Sequence, residues 1–333
     1  MTMKKVRLMT HLLGRCALLV AAGALLAAGG FAQAQDFPSK RITIYVPFPP
    51  GAINDWTARI IGEQLQKKWG QPVVIENRVG GGGLIAMQAV ANSPPDGHAM
   101  VAYASTQSAI PVFTKNTGIE PEKDLVVVTT SGYTPYFLVA NGALPVSNVR
   151  ELIAYAKSNP GKLSLGISGS NSTPELSAME MMQRFGIQMT LVPYAGAAPA
   201  QRALLANETQ LWIASMFGLD ELIKAGRMKA LAVLNDKPFP TYPDIPTFAS
   251  ATGTELISVA YLTFQARAGT SPAVLEKLAG AIGEIIATPE VGERIRKAGF
   301  EPLSLPQGQA QAMMVREYRH AQDVARSVGI KPQ

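Results

Sequence analysis

The sequence predicts an α/β protein of two lobes, each a mostly parallel sheet flanked by helices. Three observations lead there. Short β-branched runs alternate with longer segments of helical period, the rhythm occurs twice along the chain, and 333 residues exceed what one core usually holds. A hydrophobic content of 47% against 16% charged residues describes a packed chain, since a disordered one carries more charge and fewer apolar side chains. No repeat of fixed period accompanies the rhythm.

The first element is a leader. Lys4, Lys5, Arg7 and Arg15 precede an apolar run from Ala17 to Ala28, and Ala32-Gln33-Ala34 offers the small-x-small pattern that signal peptidase needs. Residues 1–34 are therefore expected to be a signal peptide cleaved after Ala34, the run being short of the roughly 20 residues of a spanning helix. Cys16, the single cysteine, lies inside it, and the exported chain would hold no thiol, which fits an oxidising compartment. Without the leader the balance changes from 30 basic and 24 acidic residues to 26 and 24. A charge so near neutral gives no basis for nucleic-acid binding.

The first series reads as strand Ile42 to Val46, helix Asp55 to Trp69 with Ala58, Ile61, Leu65 and Trp69 on one stripe, and strand Val73 to Ile75. Helix Leu84 to Ala91 and strand Met100 to Tyr103 follow, the latter after the Pro94-Pro95-Asp96-Gly97 turn. This βαβαβ order predicts parallel pairing with right-handed crossovers. The second series has strands at 137–140, 163–167, 189–192, 211–214 and 230–234, with helices at 149–157, 174–185 and 199–205. The proline-rich stretch KPFPTYPDIPTF is too broken for a helix and reads as an extended surface segment. A strand at 261–265 and helices at 272–287, 291–297 and 309–328 close the chain.

Parallel sheets bind ligands beyond the carboxyl ends of their strands, where helix N-termini turn free N–H groups outward. Four loops lie at such ends. Val46-Pro47-Phe48-Pro49-Pro50-Gly51-Ala52-Ile53-Asn54-Asp55 is stiffened by three prolines, freed at Gly51, and offers Asn54 or Asp55 as a helix cap. Asn77-Arg78-Val79-Gly80-Gly81-Gly82-Gly83 exposes backbone amides but matches neither a Walker loop nor the dinucleotide fingerprint. Ser168-Gly169-Ser170-Asn171-Ser172-Thr173-Pro174-Glu175 contains a capping box, Ser172 with Glu175, and more hydroxyl and amide groups than one cap uses. Pro193-Tyr194-Ala195-Gly196-Ala197-Ala198-Pro199 is another small-residue corner. Each is also an ordinary strand-to-helix turn, and both readings stay open at this point.

The combination of FPSKRITIYVPFPPG with a trailing Asp55, GQPVVIENR with its glycine loop, PPDGHAM, ISGSNST, VPYAGAAPA, IKAGRMKALAV and YPDIPTF resembles the Bug or TctC family over essentially the whole chain after the leader. These are periplasmic solute-binding proteins of tripartite tricarboxylate transporters. The resemblance implies a periplasmic-binding-protein clamshell, with residues 35–136 and 261–333 in the first lobe, 137–260 in the second, and hinge crossings near Tyr136 and Tyr261. It further implies a monomer without cofactor or metal. Such a protein would take a small organic acid by backbone amides, hydroxyls and water and pass it to inner-membrane permease subunits.

Carried onto this chain, the implied ligand-binding residues are Phe48, Gly51, Ala52, Asn54, Asp55, Gly83, Leu84, Tyr103, Ser105, Ser168, Ser170, Asn171, Ser172, Thr173, Ala195, Gly196 and Ala214. Several depart from the family pattern. Ala52 and Asn54 stand where a glycine and a threonine are usual, Leu84 replaces an asparagine, Glu175 a histidine, Ala214 an acidic residue and Tyr103 a small one. The exchange of polar for apolar groups predicts a carboxylate with an apolar or aromatic body, packed on Phe48, Leu84, Tyr103 and one of Met216 or Phe217; plain core packing explains the same residues.

Ingredients for an enzyme are scarce. Of three histidines, His11 is in the leader, and neither His98 nor His320 sits beside a candidate nucleophile; no G-x-S-x-G elbow or zinc spacing occurs. The expectation is a binding protein rather than a secreted enzyme. A ligand-presenting partner of a membrane sensor kinase would use the same clamshell.

Overall fold

The computed structural model describes residues 37–331, except Ala52 and Asn116 and the side chains of Gln107 and Ser108. The expected leader with Cys16, and the candidate Ala52, lie outside the described residues. Ten strands and eight principal helices occur among them. The strands are β1 (Ile42–Val46), β2 (Val73–Asn77), β3 (Ala99–Ala104), β4 (Leu125–Pro135), β5 (Phe137–Asn141), β6 (Leu163–Ser168), β7 (Met189–Tyr194), β8 (Leu211–Ala214), β9 (Met228–Val233) and β10 (Val259–Arg267). The helices are α1 (Ile53–Trp69), α2 (Leu84–Ala91), α3 (Val149–Ser158), α4 (Thr173–Phe185), α5 (Ala197–Leu205), α6 (Pro272–Ala287), α7 (Pro289–Lys297) and α8 (Gln307–Ser327).

Two five-stranded sheets share one topology, β2-β1-β3-β10-β4 and β7-β6-β8-β5-β9. In each, three strands joined by helices pair in parallel, as the βαβ rhythm requires. The remaining two pairings are antiparallel, because a single reversed strand, β10 in one sheet and β5 in the other, lies between two strands that run the common way. The sheets are thus mixed: mostly parallel in strand direction, and evenly divided by pairing. Each reversed strand is the one laid down as the chain arrives from the other sheet, across Tyr136 on the way out and after Ser258 on the return.

The helices form where the apolar stripe meets a sheet. In α1, Ala58, Ile61 and Leu65 are fully buried, and Gly70 at φ 67° ends it by donating to Gln66 O at 2.9 Å. The second sheet carries α3 and α4 on one face, around Leu138, Leu152, Leu165 and Met181. Its other face, with α5, packs Phe137, Leu204, Trp212 and Phe239. Helix α8 lies against β4 through Met314 and Tyr318, and its C-terminal half packs on Leu176 of α4 through Ala321, Val324 and Ala325. The closing helix therefore touches the layers of both sheets. Among the described residues no helix is long and apolar enough to cross a membrane.

Two features differ from the sequence reading. Strand β4 is absent from it, because the stretch Thr129-Thr130-Ser131-Gly132 reads as polar; the two threonine hydroxyls are buried and satisfied by a distant segment, Thr129 Oγ1 donating to Leu305 O at 2.7 Å and Thr130 Oγ1 to Leu303 O at 2.6 Å. KPFPTYPDIPTF is a chain of turns rather than a surface strap. Phe239 within it is fully buried, edge-on to Phe137 and Tyr133 at 6.2 and 5.9 Å.

Candidate functional site

The first corner is built at the ends of β1, β2 and β3. Beyond Val46 the prolines lead to Gly51, which takes φ 87° and donates its N–H to Asp55 Oδ2 at 2.9 Å. Asp55 sits in the first turn of α1 with its side chain only 3% exposed. Its two oxygens also receive Arg59 Nε at 3.0 Å, Arg59 Nη2 at 2.8 Å and Asn77 Nδ2 at 2.8 Å. Burial alone would raise the pKa of this carboxyl. The hydrogen bonds from Arg59, Gly51 and Asn77, with the charge of Arg59, outweigh it and hold the group below its ordinary value. Asn77 also donates to Phe48 O at 2.9 Å, so Asp55 and Asn77 together pin the proline loop at both ends. Asn54 is buried and reaches Ala102 O at 3.4 Å. Phe48 and Leu84 are half-buried and Gly51 is exposed.

The glycine loop has a structural reason for its composition. Gly80, Gly81, Gly82 and Gly83 take φ of 137°, 57°, 65° and 114°, a run that L side chains rarely adopt. A Cβ on Gly83 would stand 2.7 Å from Tyr103 Cε2 and 3.3 Å from Pro47 Cβ, so the missing side chain is what lets the three strand ends meet. The bond that closes the run, Gly83 N–H to Gly80 O at 3.0 Å, engages neither Gly81 nor Gly82, and both are exposed. The Tyr103 ring is packed with Met87, Val101 and Ile110, while its hydroxyl is buried without a hydrogen-bond partner. Burial, with a contribution from Tyr318, pushes this phenol well above its usual pKa. Ser105 is fully buried, donates to Val259 O at 3.4 Å and accepts from Tyr261 N–H at 3.0 Å, which ties the end of β3 to β10. Arg78 is ion-paired with Glu76 at 2.6 Å and lies over the Tyr45 ring at 4.5 Å.

The second corner follows β6. Ser168 Oγ accepts the Trp212 indole N–H at 2.8 Å. Gly169 takes φ 109° and Asn171, unusually for a residue with a side chain, φ 59°. Ser170 is exposed. The expected capping box is half formed: Ser172 donates its hydroxyl to Gly169 O at 2.9 Å rather than capping α4. Glu175 does reach back, accepting Asn171 N–H at 2.7 Å and hydrogen-bonding the Ser172 backbone. Burial raises the Glu175 pKa, and those backbone bonds only partly oppose it. Nearby, Ala195 is exposed and Gly196 half-buried at φ 110°, whereas Ala214 is packed beside Phe137 and Trp212 in the core.

These corners are joined directly. Thr173 Oγ1 donates to Thr106 O at 3.1 Å, and Asn171 Nδ2 to Thr114 Oγ1 at 3.2 Å, Thr106 and Thr114 lying on the segment that follows β3. The Tyr136 hydroxyl, between β4 and β5, bonds the Thr106 side chain, and burial pushes its pKa up to about 12. Phe48, Gly51, Asn54, Asp55, Gly83, Leu84, Tyr103 and Ser105 thus gather around the first corner, and Ser168 to Thr173 meet the segment beyond it. No hydrogen bond among the described residues links Ala195, Gly196 or Ala214 to the first sheet's corner. Thr106, Thr114 and Trp212 were not marked by any motif; the one available signal was Trp212, whose indole N–H needs a partner when buried in a short strand.

Two cavities of about 290 and 280 Å³ lie elsewhere. One is between α6, α7 and Pro302; the other separates Met216, Phe217 and Tyr242 from Arg296 and Gly299. Among the described residues no three His, Cys, Asp or Glu side chains come together as a metal site would need.

Two like sheets linked by two crossings, with strand-to-helix corners meeting between them, define the class of two-lobed periplasmic binding proteins. A Rhodopseudomonas palustris protein, MatC, solved with bound malate, superposes with a TM-score of 0.74 at 26% identity over 86% of this chain and 99% of that one. An R. palustris protein solved with adipate superposes with 0.80 at 30% identity, over 90% of this chain and all of that one. The chain belongs to the TctC family, the tripartite tricarboxylate transporter family receptors, whose model matches residues 57–330. BugT of Bordetella pertussis is 31% identical over 320 residues, 94% of this chain and 98% of that protein.

Proposed function

We propose that this receptor captures a small carboxylate between its lobes in the periplasm and delivers it to the permease subunits of a tripartite tricarboxylate transporter. The observation that carries the reading is the pair of hydrogen bonds from Thr173 and Asn171 to Thr106 and Thr114, which set the second corner against the first lobe. Relatives of the same fold with adipate and malate supply the ligand class. In this reading the carboxylate is met by backbone N–H groups of the corners, each charge-assisted bond contributing about 1.5 to 3 kcal/mol against its desolvation. The apolar part of the ligand rests on Phe48 and Leu84. Closure turns about the crossings at Tyr136 and just before Tyr261, because a ligand touching both corners binds the closed form better than the open one.

The test is a thermal-shift and calorimetric screen of the chain from residue 35 against straight-chain, branched and aromatic organic acids. A bound acid at a hundred times its Kd raises stability by about 2.7 kcal/mol. If no acid moves the melting temperature the reading fails; if only citrate or aspartate does, the apolar-bodied ligand is removed while carboxylate capture stands.

A further inference from the structure

We infer that Glu175 makes this receptor select against a second carboxylate, so that its ligand is a monocarboxylate presenting an uncharged or cationic group to the second corner. The inference rests on the carboxylate-capture reading and specifies it. An anion arriving at the second lobe would look for the free N–H groups at the N-terminus of the 13-residue helix α4. That position is already taken by the protein's own carboxylate, since Glu175 Oε2 holds Asn171 N–H at 2.7 Å and the carboxyl also bonds the Ser172 backbone. The same loop is the one fastened to the first lobe by Asn171 and Thr173, and Glu175 stands in the first turn of the helix that it opens.

Nothing neutralises that carboxylate. Among the described residues no ion pair includes Glu175, and the side chain is half-buried. A second anion in the same corner adds like charge where screening is weak. A hydroxyl, amide or ammonium group gains an acceptor there instead. The first corner offers the opposite. Its acidic residue, Asp55, is spent on Gly51, Arg59 and Asn77. The Tyr103 hydroxyl, buried and without a partner, lies 3.4 Å from where a Gly83 Cβ would stand, at the inner side of the glycine run. One carboxylate therefore belongs at the glycine corner, and only there.

Calorimetry with hexanoate, 6-aminohexanoate and adipate, and with the matching four-carbon set, tests this on the chain from residue 35 and on its Glu175→Gln and Glu175→Ala variants. The wild type is expected to bind the better monocarboxylate of each length at least tenfold more tightly than the diacid, and both variants to narrow that ratio at least tenfold. Adipate or succinate binding the wild type as tightly as its monocarboxylate partners overturns the inference and leaves carboxylate capture intact. An unchanged ratio in the variants does the same. Binding of neither class at either length, nor of any acid in the wider screen, overturns the capture reading and the inference with it. Should a variant fail to fold, the wild-type ratio alone decides.

Discussion

Asp55 and Glu175 occupy equivalent places in the two lobes: each stands in the first turn of the helix that leaves a sheet, and each accepts the backbone N–H four residues earlier, Gly51 in one case and Asn171 in the other. Their electrostatics are opposite. Asp55 is enclosed, with four donors and a cation, and its pKa is lowered; Glu175 has backbone donors only, and its pKa is raised. The same local device is a closed clamp in one corner and, among the described residues, a carboxylate without an ion pair in the other. What separates them is the partner set, the neighbouring Arg59 one helical turn on and the distant Asn77, and not the turn.

The strongest way to break this contrast is to disturb the corner that Asp55 holds. Gly83→Ala puts a methyl 2.7 Å from the Tyr103 ring at φ 114°, and is expected to cost about 3 kcal/mol or more in urea unfolding from strain and overpacking together. An unchanged midpoint would show the three strand ends to be loosely joined. Asp55→Asn removes the charged partner of Arg59 and is expected to cost about 2 to 3 kcal/mol at neutral pH. Because the folded pKa is depressed, that contribution is present above the ordinary value of 3.8 and is lost as pH falls through the folded value. The wild type and the variant should therefore converge as the wild-type carboxyl protonates in acid, and a gap that persists once it has protonated would assign the loss to geometry instead of charge.

Glu175→Gln carries the smallest effect and the opposite sign. Its raised pKa means that folding disfavours the ionised form, so the wild type bears a handicap that grows as pH rises from about the ordinary value of 4.5 through the folded value. The variant is expected to match or exceed the wild type by up to about 1 kcal/mol at pH 8 and to lose that advantage below pH 4. Destabilisation at pH 8 would make Glu175 a clamp like Asp55 and erase the distinction.

Much of this arrangement is legible along the chain. The runs Ile42–Val46 and Leu163–Ser168, each followed by a corner rich in small residues and a helix, mark the parallel strands and their carboxyl ends. Asp55 and Glu175 stand out as cap candidates at helix starts. Arg59, one helical turn beyond Asp55, is visible too, but the rest of their difference is not, because Asn77 is 22 residues from Asp55 and joins it only through the pairing of β1 with β2. Strand β4 escapes for the same reason: Thr129 and Thr130 are sound core residues only once Leu303 and Leu305 cover their hydroxyls, more than 170 residues later. Phe239 looks exposed among prolines until Phe137 and Tyr133 are placed around it. Thr106 and Thr114 carry no pattern of their own, and only the meeting of the lobes gives them a role.

The position of β10 between β3 and β4 has a consequence for biogenesis. The first lobe lacks its middle strand until residues 259–267 have been delivered, so this half, begun first, is completed last. A chain crossing a membrane N-terminus first would hold that half open, with Thr263 and Gln265 not yet seated, until the other half had passed. The first half therefore cannot be cut away as one continuous piece, whereas all five strands of the second lie within residues 137–233.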